Sequence, residues 1–269
     1  METLNALGII AGGGAYPLLL AESARKSGVQ RIVAAAFTGE TNPKLAGRVD
    51  AIEWMRVGQL TRMLSFFSGA GVRQCIMAGQ IAPHNLFDLR PDWKTLLLLA
   101  RLKRRNAESI FGAIADELSA AGIELLPAVT FLEESVAKSG LIAGRPLSRR
   151  EEADVAFGFD IAREVSRLDI GQTVVVRSGT VLAVEAFEGT DEAVKRGGAL
   201  GRRGAVMVKV AKPNHDMRFD VPVIGRETIR VAAESKLRVV AVESDKTLLL
   251  EGAALRSAVE RNGISLVAC

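Results

Sequence analysis

The sequence predicts an α/β protein in two parts: a small doubly wound parallel-sheet domain first, then a mixed α+β domain. Three observations carry this. Short apolar runs alternate with helical-period segments through the first half, the βαβ pattern of a parallel sheet. The first such run ends in Gly12-Gly13-Gly14 and leads straight into a helix. The second half carries a hairpin signal instead, with β-branched runs flanking Ser178-Gly179. The 269 residues suit two modest domains. Their expected bounds are 1–132 and 147–269, with 133–146, which carries two glycines and a proline, as a linker.

Taken in order, Leu7 to Ala11 is the first strand, and the helix after the glycines shows its period in Leu18, Leu19, Ala21 and Ala24 before Gly28. Arg31 to Phe37 reads as a buried strand and Ala51 to Met55 as the next. A helix over Gln59 to Phe67 precedes a strand over Gln74 to Met77, which ends in Ala78-Gly79-Gln80. The carboxyl end of a strand is where an open α/β sheet places its ligand. Helices over Trp93 to Leu102 and Ala107 to Ala120 and a strand over Ile123 to Leu126 complete the first domain. Ser148 with Glu151 is a capping box that opens a helix to about Arg167. Strands Thr173 to Arg177 and Thr180 to Glu185 form the hairpin. Thr190 reads as the N-cap of a short helix through Arg196, and Gly204 to Val210 as an apolar strand. Helix Thr228 to Glu234, strands Val239 to Val242 and Thr247 to Leu250, helix Ala253 to Asn262 and strand Ile264 to Ala268 finish the chain.

Composition narrows the function classes. Net charge is +4 and aromatics are 5%, so neither a strong basic field nor base-stacking platforms point to nucleic acid. The basic run Arg101-Leu-Lys-Arg-Arg105 reads as a solvated helix face, or as a contact for phosphates or an anionic membrane. Two cysteines, Cys75 and Cys269, give no disulfide framework and no zinc spacing, which fits a reducing compartment. Only His84 and His215 are present, so a histidine-rich metal site is excluded. No apolar run approaches the roughly 18 residues of a membrane span, and no signal peptide is read, so the expected location is cytoplasmic.

Two stretches carry chemistry. The glycine turn gives a Rossmann-like start, but Pro17 stands at the third position of the dinucleotide fingerprint and no clear acid ends the second strand; Glu40 is the nearest. Backbone N–H groups at the helix start still suit an anion, although a tight turn without a ligand would look the same. The second stretch is Lys209 to Asp220, which packs two lysines, a histidine, an arginine and two aspartates between an apolar strand and Pro222. Such mixed charge suits an oxygen-rich ligand such as phosphate with a metal, against the plain alternative of a solvated loop with a local Arg–Asp pair.

Four runs resemble one family: Gly8 to Pro17, Leu168 to Val176, Val184 to Asp191 and Lys212 to Pro222. It is the UDP-2,3-diacylglucosamine pyrophosphatase family of the LpxI type, and the resemblance spans essentially the whole chain. Glu185-x-x-x-Gly-Thr-Asp191 and Asp216-x-Arg-x-Asp-x-Pro222 are its specific parts. The resemblance implies a Mg²⁺-dependent hydrolase of lipid A biosynthesis that cleaves UDP-2,3-diacylglucosamine to UMP and lipid X. It also implies a site in a cleft between two domains, a homodimer, and transient contact with the cytoplasmic face of the inner membrane. His215 stands where the family usually has Gln. On this basis Asp220, Asp216 and Arg218 are the catalytic candidates, and Asp220 and Asp216 the Mg²⁺ ligands. Gly12, Gly13, Gly14, Gly79, Gln80, Gln172, Thr190, Asp191, Lys209 and Lys212 are the substrate-binding candidates, with Glu185 a further carboxylate to consider. The rivals are a non-catalytic nucleotide-sugar or lipid-phosphate binding protein and a nucleotide-dependent oxidoreductase, the latter weakened by the missing third glycine.

Overall fold

The computed structural model describes residues 5–81, 91–102, 107–212 and 216–269, and the chain divides into two compact units. The first unit comprises 1–133 together with 216–220, and the second comprises 134–215 and 221–269. Five residues late in the sequence are thus folded into the unit built from its beginning.

In the first unit, β1 (Ala6–Ala11), β2 (Arg31–Phe37), β3 (Ala51–Met55), β4 (Gln74–Ala78) and β5 (Glu124–Leu125) form one sheet in the order β3-β2-β1-β4-β5. All four pairings are parallel. The winding reverses between β1 and β4, which makes that gap the switch point where open sheets bind ligands. The helix α1 (Tyr16–Lys26) follows the glycine turn, with Pro17 in its first turn, where a missing N–H breaks no helical bond. Helices α2 (Leu60–Gly69), α3 (Trp93–Arg101) and α4 (Ala107–Ala120) pack Leu64, Phe67, Leu98 and Leu118 into one core with Val33, Cys75 and Met77 of the sheet. Strands covered on both faces need continuous apolar runs, and β2 is buried at every position after Arg31.

The second unit holds a six-stranded mixed sheet. Its strands are β6 (Gly140–Ala143), β7 (Thr173–Arg177), β8 (Thr180–Val184), β9 (Val206–Lys209), β11 (Val239–Val242) and β13 (Ser265–Ala268), in the order β6-β13-β11-β9-β7-β8. The central β13, β11 and β9 are parallel, and the outer strands are antiparallel to their neighbours. The helix α5 (Arg149–Arg167) covers one face through Val155, Phe159 and Ala162. The other face takes α6 (Thr190–Gly201), α7 (Arg226–Glu234) and α8 (Gly252–Arg261). A small parallel pair, β10 (Val223–Ile224) with β12 (Leu248–Leu249), stands apart.

Several elements depart from the sequence reading for identifiable reasons. The stretch read as a linker contains β6, an edge strand closing the sheet against β13. The helix expected to end at Arg196 continues to Gly201 through Gly197 and Gly198. Glycine is a poor helix former, but a Cβ at Gly197 would lie 2.5 Å from Val175, so helix–sheet contact overrides propensity here. Thr190 is the first helical residue rather than the cap; Gly189, at φ +84°, takes the cap position.

The hairpin between β7 and β8 turns at Ser178 and Gly179, both with positive φ, as its two-residue loop requires. Asp154 of α5, buried, accepts hydrogen bonds from both turn N–H groups at 2.8 and 2.7 Å. Asp154→Ala strands those donors, and the variant should lose about 2 kcal/mol of stability in urea unfolding. A loss below about 0.5 kcal/mol would show that the turn holds itself.

Candidate active site

In the first unit the switch point is occupied by backbone. The Gly12 N–H donates to the Ala78 carbonyl at 2.8 Å and the Gly13 N–H to the Gln80 carbonyl at 2.6 Å. A Cβ on Gly12 would meet the Gln80 carbonyl oxygen at 2.6 Å, and one on Gly79 would meet that of Gly13 at 2.4 Å. These glycines therefore let the ends of β1 and β4 touch, and two of the N–H groups serve that contact. Gly14 is different: at φ +84° it has open space on its side-chain side. It borders an open depression of about 730 Å³ lined also by Thr38, Gly39, Glu40, Thr41 and Trp54. A Glu40 carboxylate oxygen lies 3.6 Å from where a Gly13 Cβ would stand. The adjoining start of α1 has no side-chain cap and no acid in its first turn, the condition that leaves N–H groups open to an anion.

The acidic loop forms a tight turn on this unit. The N–H groups of Phe219 and Asp220 donate to the Asp216 carbonyl at 3.0 and 2.9 Å, so the two aspartates stand one helical turn apart. Between them, Arg218 holds Asp216 in a fork: its Nε lies 2.9 and 3.0 Å from the two carboxylate oxygens and its Nη2 2.6 Å from one. That pairing raises the Arg218 pKa, with burial opposing it and the charges of Asp216 and Asp116 adding to it. The turn is fastened at two points. The Ala128 N–H donates to the Met217 carbonyl at 2.7 Å, and the Phe219 ring packs on Phe111 of α4 at 5.6 Å between centroids. Ala128 in turn accepts a hydrogen bond from the Tyr16 hydroxyl at the start of α1.

In the second unit the register makes a polar row. Thr173 of β7 pairs with Lys209 of β9, and the β7–β8 ladder continues to Glu185, whose N–H donates to the Thr173 carbonyl at 2.8 Å. Glu185, Thr173 and Lys209 thus stand side by side across three strand ends, one step beyond the buried row Ala183, Val175 and Met207. They are 7%, 0% and 3% exposed. Lys209 Nζ donates to Thr190 Oγ1 at 3.0 Å, and the Thr190 hydroxyl donates to Glu185 Oε1 at 2.8 Å. Glu185 Oε2, Thr173 Oγ1 and Gln172 Oε1 are buried with no hydrogen-bond partner among the described residues. The start of α6 thus joins the row through Thr190. Asp191 follows Thr190; the protein crowding its carboxyl lifts its pKa, Glu227 adds to that, and Lys209 pulls it down.

The site candidates therefore fall into three groups. The structure gathers Gly12, Gly13, Gly14, Gly79 and Gln80 at the first sheet's switch point, and Asp216, Arg218 and Asp220 in one turn. It gathers Thr190, Asp191 and Lys209 around the second sheet's row, with Gln172 immediately before that row's central strand. Lys212 is engaged elsewhere, 2.8 Å from Asp169. Thr173 escaped the sequence reading, because only strand register shows that a threonine opening a valine run faces Lys209. Among the described residues no group of three His, Cys, Asp or Glu side chains is placed to hold a metal. Asp216 turns both carboxylate oxygens to Arg218. His215, the position that departs from the family pattern, lies outside the described residues, as do His84 and Lys103 to Arg105.

Comparison with known proteins agrees along the chain. The LpxI N-terminal domain model matches residues 6–135 and the LpxI C-terminal domain model matches 138–267. A UDP-2,3-diacylglucosamine pyrophosphatase LpxI of Caulobacter vibrioides is 30% identical, with 97% of this chain and 96% of that protein covered. Among solved structures, the biotin carboxylase domain of Hydrogenobacter thermophilus 2-oxoglutarate carboxylase matches at a TM-score of 0.30 and 11% identity, over 67% of this chain and 36% of that one. The N5-carboxyaminoimidazole synthetase of Staphylococcus aureus matches at 0.24 and 15%, over 69% and 42%. Scores this low carry nothing about fold or function.

The row makes a prediction about charge. Asp191 binds its proton more tightly in the folded protein than in the unfolded chain. Its contribution to stability is therefore present at low pH and lost as pH rises through the folded pKa. Lys209→Met removes the opposing positive charge, so the Asp191 carboxyl should titrate higher still in a ¹³C NMR titration. An unchanged or lower titration would show that Lys209 does not face this carboxyl.

Proposed function

The chain belongs to the LpxI family, and on that premise we propose that it hydrolyses UDP-2,3-diacylglucosamine to UMP and 2,3-diacylglucosamine 1-phosphate, lipid X, in lipid A biosynthesis. The observation that carries the reading is the Asp216–Asp220 turn, which presents two carboxylates and a guanidinium within one helical turn on the carboxyl side of β5. Hydrolysis adds water across one P–O–P bond. The water oxygen bonds one phosphorus, the bridging oxygen leaves with the bond's electron pair on the other phosphate, and a proton is released. A diphosphate resists this because its charge repels a nucleophile, so a site must neutralise charge and position the water. In this reading Arg218 meets phosphate oxygens and Asp220 orients the water.

We propose Mg²⁺ as the cofactor, which Asp220 and Asp216 would hold. Mg²⁺ takes only one or two protein carboxylates when phosphates fill its shell, and the two aspartates of the turn support this reading. When bound it supplies neutralisation of the diphosphate charge. In the first unit, we place the nucleoside in the depression beside Gly14, with Glu40 accepting from ribose hydroxyls and the uncapped start of α1 facing phosphate. In the second unit, the row suits a sugar phosphate. Lys209 and the start of α6 take the anion, while Glu185 Oε2 and Thr173 Oγ1 accept from hydroxyls.

Asp220→Asn should bind substrate as the parent does and lose about a hundredfold or more of turnover with Mg²⁺ present. Mass spectrometry of products formed in ¹⁸O-labelled water reads both the products and the phosphorus attacked. Full activity in that variant would remove the turn from catalysis, and tight substrate binding without turnover in the parent would leave a binding protein. Glu40→Gln should weaken inhibition by UMP roughly tenfold, the worth of one hydrogen bond to a charged acceptor. Unchanged inhibition would move the nucleoside out of this depression.

A further inference from the structure

The helix α3 has two apolar faces, and among the described residues only one packs into the fold. Leu98 is buried, and Leu99 and Leu102 pack on the first unit's core. On the other side Trp93, Leu96 and Leu97 are 74%, 46% and 42% exposed, and Ala100 continues the stripe at the next turn. Their spacing, i, i+3, i+4 and i+7, is that of one helix face. The inner side is pinned. Asp92 accepts from the N–H groups of Thr61 and Thr95 at 2.7 and 2.8 Å, the Thr95 hydroxyl donates to the Gly58 carbonyl at 2.7 Å, and Lys94 pairs with Glu117 at 2.6 Å. The exposed stripe is therefore held outward by the fold.

We propose that this face of α3 is the surface by which the protein rests on an anionic lipid bilayer, with Trp93, Leu96 and Leu97 entering the headgroup boundary. The inference rests on the reading that the substrate is a diacylated amphiphile, which lives in a membrane. Tryptophan favours that boundary, and leucines beside it supply the apolar anchor. Charge selects the lipid class. From Arg101 to Arg105 the sequence carries Arg101, Lys103, Arg104 and Arg105 and no acid. Each basic residue near an anionic surface adds attraction. Arg101, exposed on the last turn of α3, argues against a second copy of this chain on the same face, since a two-fold contact would set like against like. The stripe is also small. Three exposed side chains offer on the order of a few hundred Å², against about 800 Å² per partner in a stable protein interface.

The test uses the full chain and vesicles. In a Trp54→Phe background Trp93 is the remaining tryptophan of two. Its emission should shift to the blue, and the protein should co-sediment, with phosphatidylethanolamine–phosphatidylglycerol vesicles but much less with phosphatidylcholine alone. The double variant Trp93→Glu, Leu97→Glu should lose about tenfold or more of vesicle binding, since it removes the apolar anchor. Its turnover of detergent-dispersed substrate should stay within about twofold, because no proposed catalytic group lies on α3. Arg101→Glu, which leaves the apolar stripe intact, should weaken binding to the anionic vesicles alone. Equal vesicle binding by parent and double variant overturns the proposal, and so does a double variant that changes only the oligomeric state in sizing experiments. Vesicle binding that follows α3 in a protein with no turnover of dispersed substrate would sink the hydrolase reading and leave this surface standing.

Discussion

One residue, Ala128, ties the acidic turn of the first unit to the start of α1. Its N–H holds the Met217 carbonyl and its carbonyl holds the Tyr16 hydroxyl. Left in water, a loop carrying Asp216, Arg218 and Asp220 would sample many conformations, and its arginine would pair with either acid. The Ala128 contact fixes the backbone of the turn, and the Phe219 ring on Phe111 fixes its rotation. Tyr16, lifted far above its ordinary pKa by burial, keeps its proton throughout the neutral range and so remains a donor. The start of α1 and the acid turn are thus positioned through a shared residue, and both belong to the edge where the first sheet's strands end.

The second unit solves a different problem. Lys209 is almost wholly buried at the end of a strand, where an amine needs partners. Thr190 stands between it and Glu185, accepting from the first and donating to the second, so the cation and the carboxylate are linked without touching. One oxygen of Glu185 is left over, as is the Thr173 hydroxyl. Buried acceptors without donors are uncommon in folded proteins unless a ligand or an ordered water completes them. A row that presents an amine at one end and waiting acceptors at the other is suited to a ligand with an anion and hydroxyls in fixed relation, as in a sugar phosphate. Apolar residues at these three positions would give a more stable sheet end but no such selectivity.

Much of this was legible before the structure, and the rest failed for physical reasons. The βαβ order, the capping box at Ser148 and Glu151, and the hairpin around Ser178-Gly179 follow from local rules, and the structure carries each of them. The length of α6 was missed because Gly197 and Gly198 look like helix breakers until Val175 and Ser235 are seen pressing on them. Thr190 looked like a cap because its residue type suits one, but Gly189 adopts the left-handed backbone and frees the hydroxyl for Glu185. Neither Thr173 nor the place of residues 216–220 in the first unit has any local signature. The first depends on strand register, and the second on a contact between residues 89 positions apart, Ala128 and Met217.

The glycine turn shows why a motif has to be followed to its hydrogen bonds. Gly12-x-Gly14 at the end of a first strand invites a cofactor's pyrophosphate, whose oxygens would take the turn's N–H groups. Here Gly12 and Gly13 give theirs to Ala78 and Gln80, and the absence of side chains at Gly12 and Gly79 is what lets the two strand ends approach. Displacing that contact would break two backbone bonds of the sheet's central pair, so a dinucleotide laid across it in the usual way is disfavoured. Gly14 and the uncapped helix start remain open, and they suit a single phosphate rather than a bridging pair. The same turn that weakens the oxidoreductase reading therefore still leaves an open place for one phosphate group.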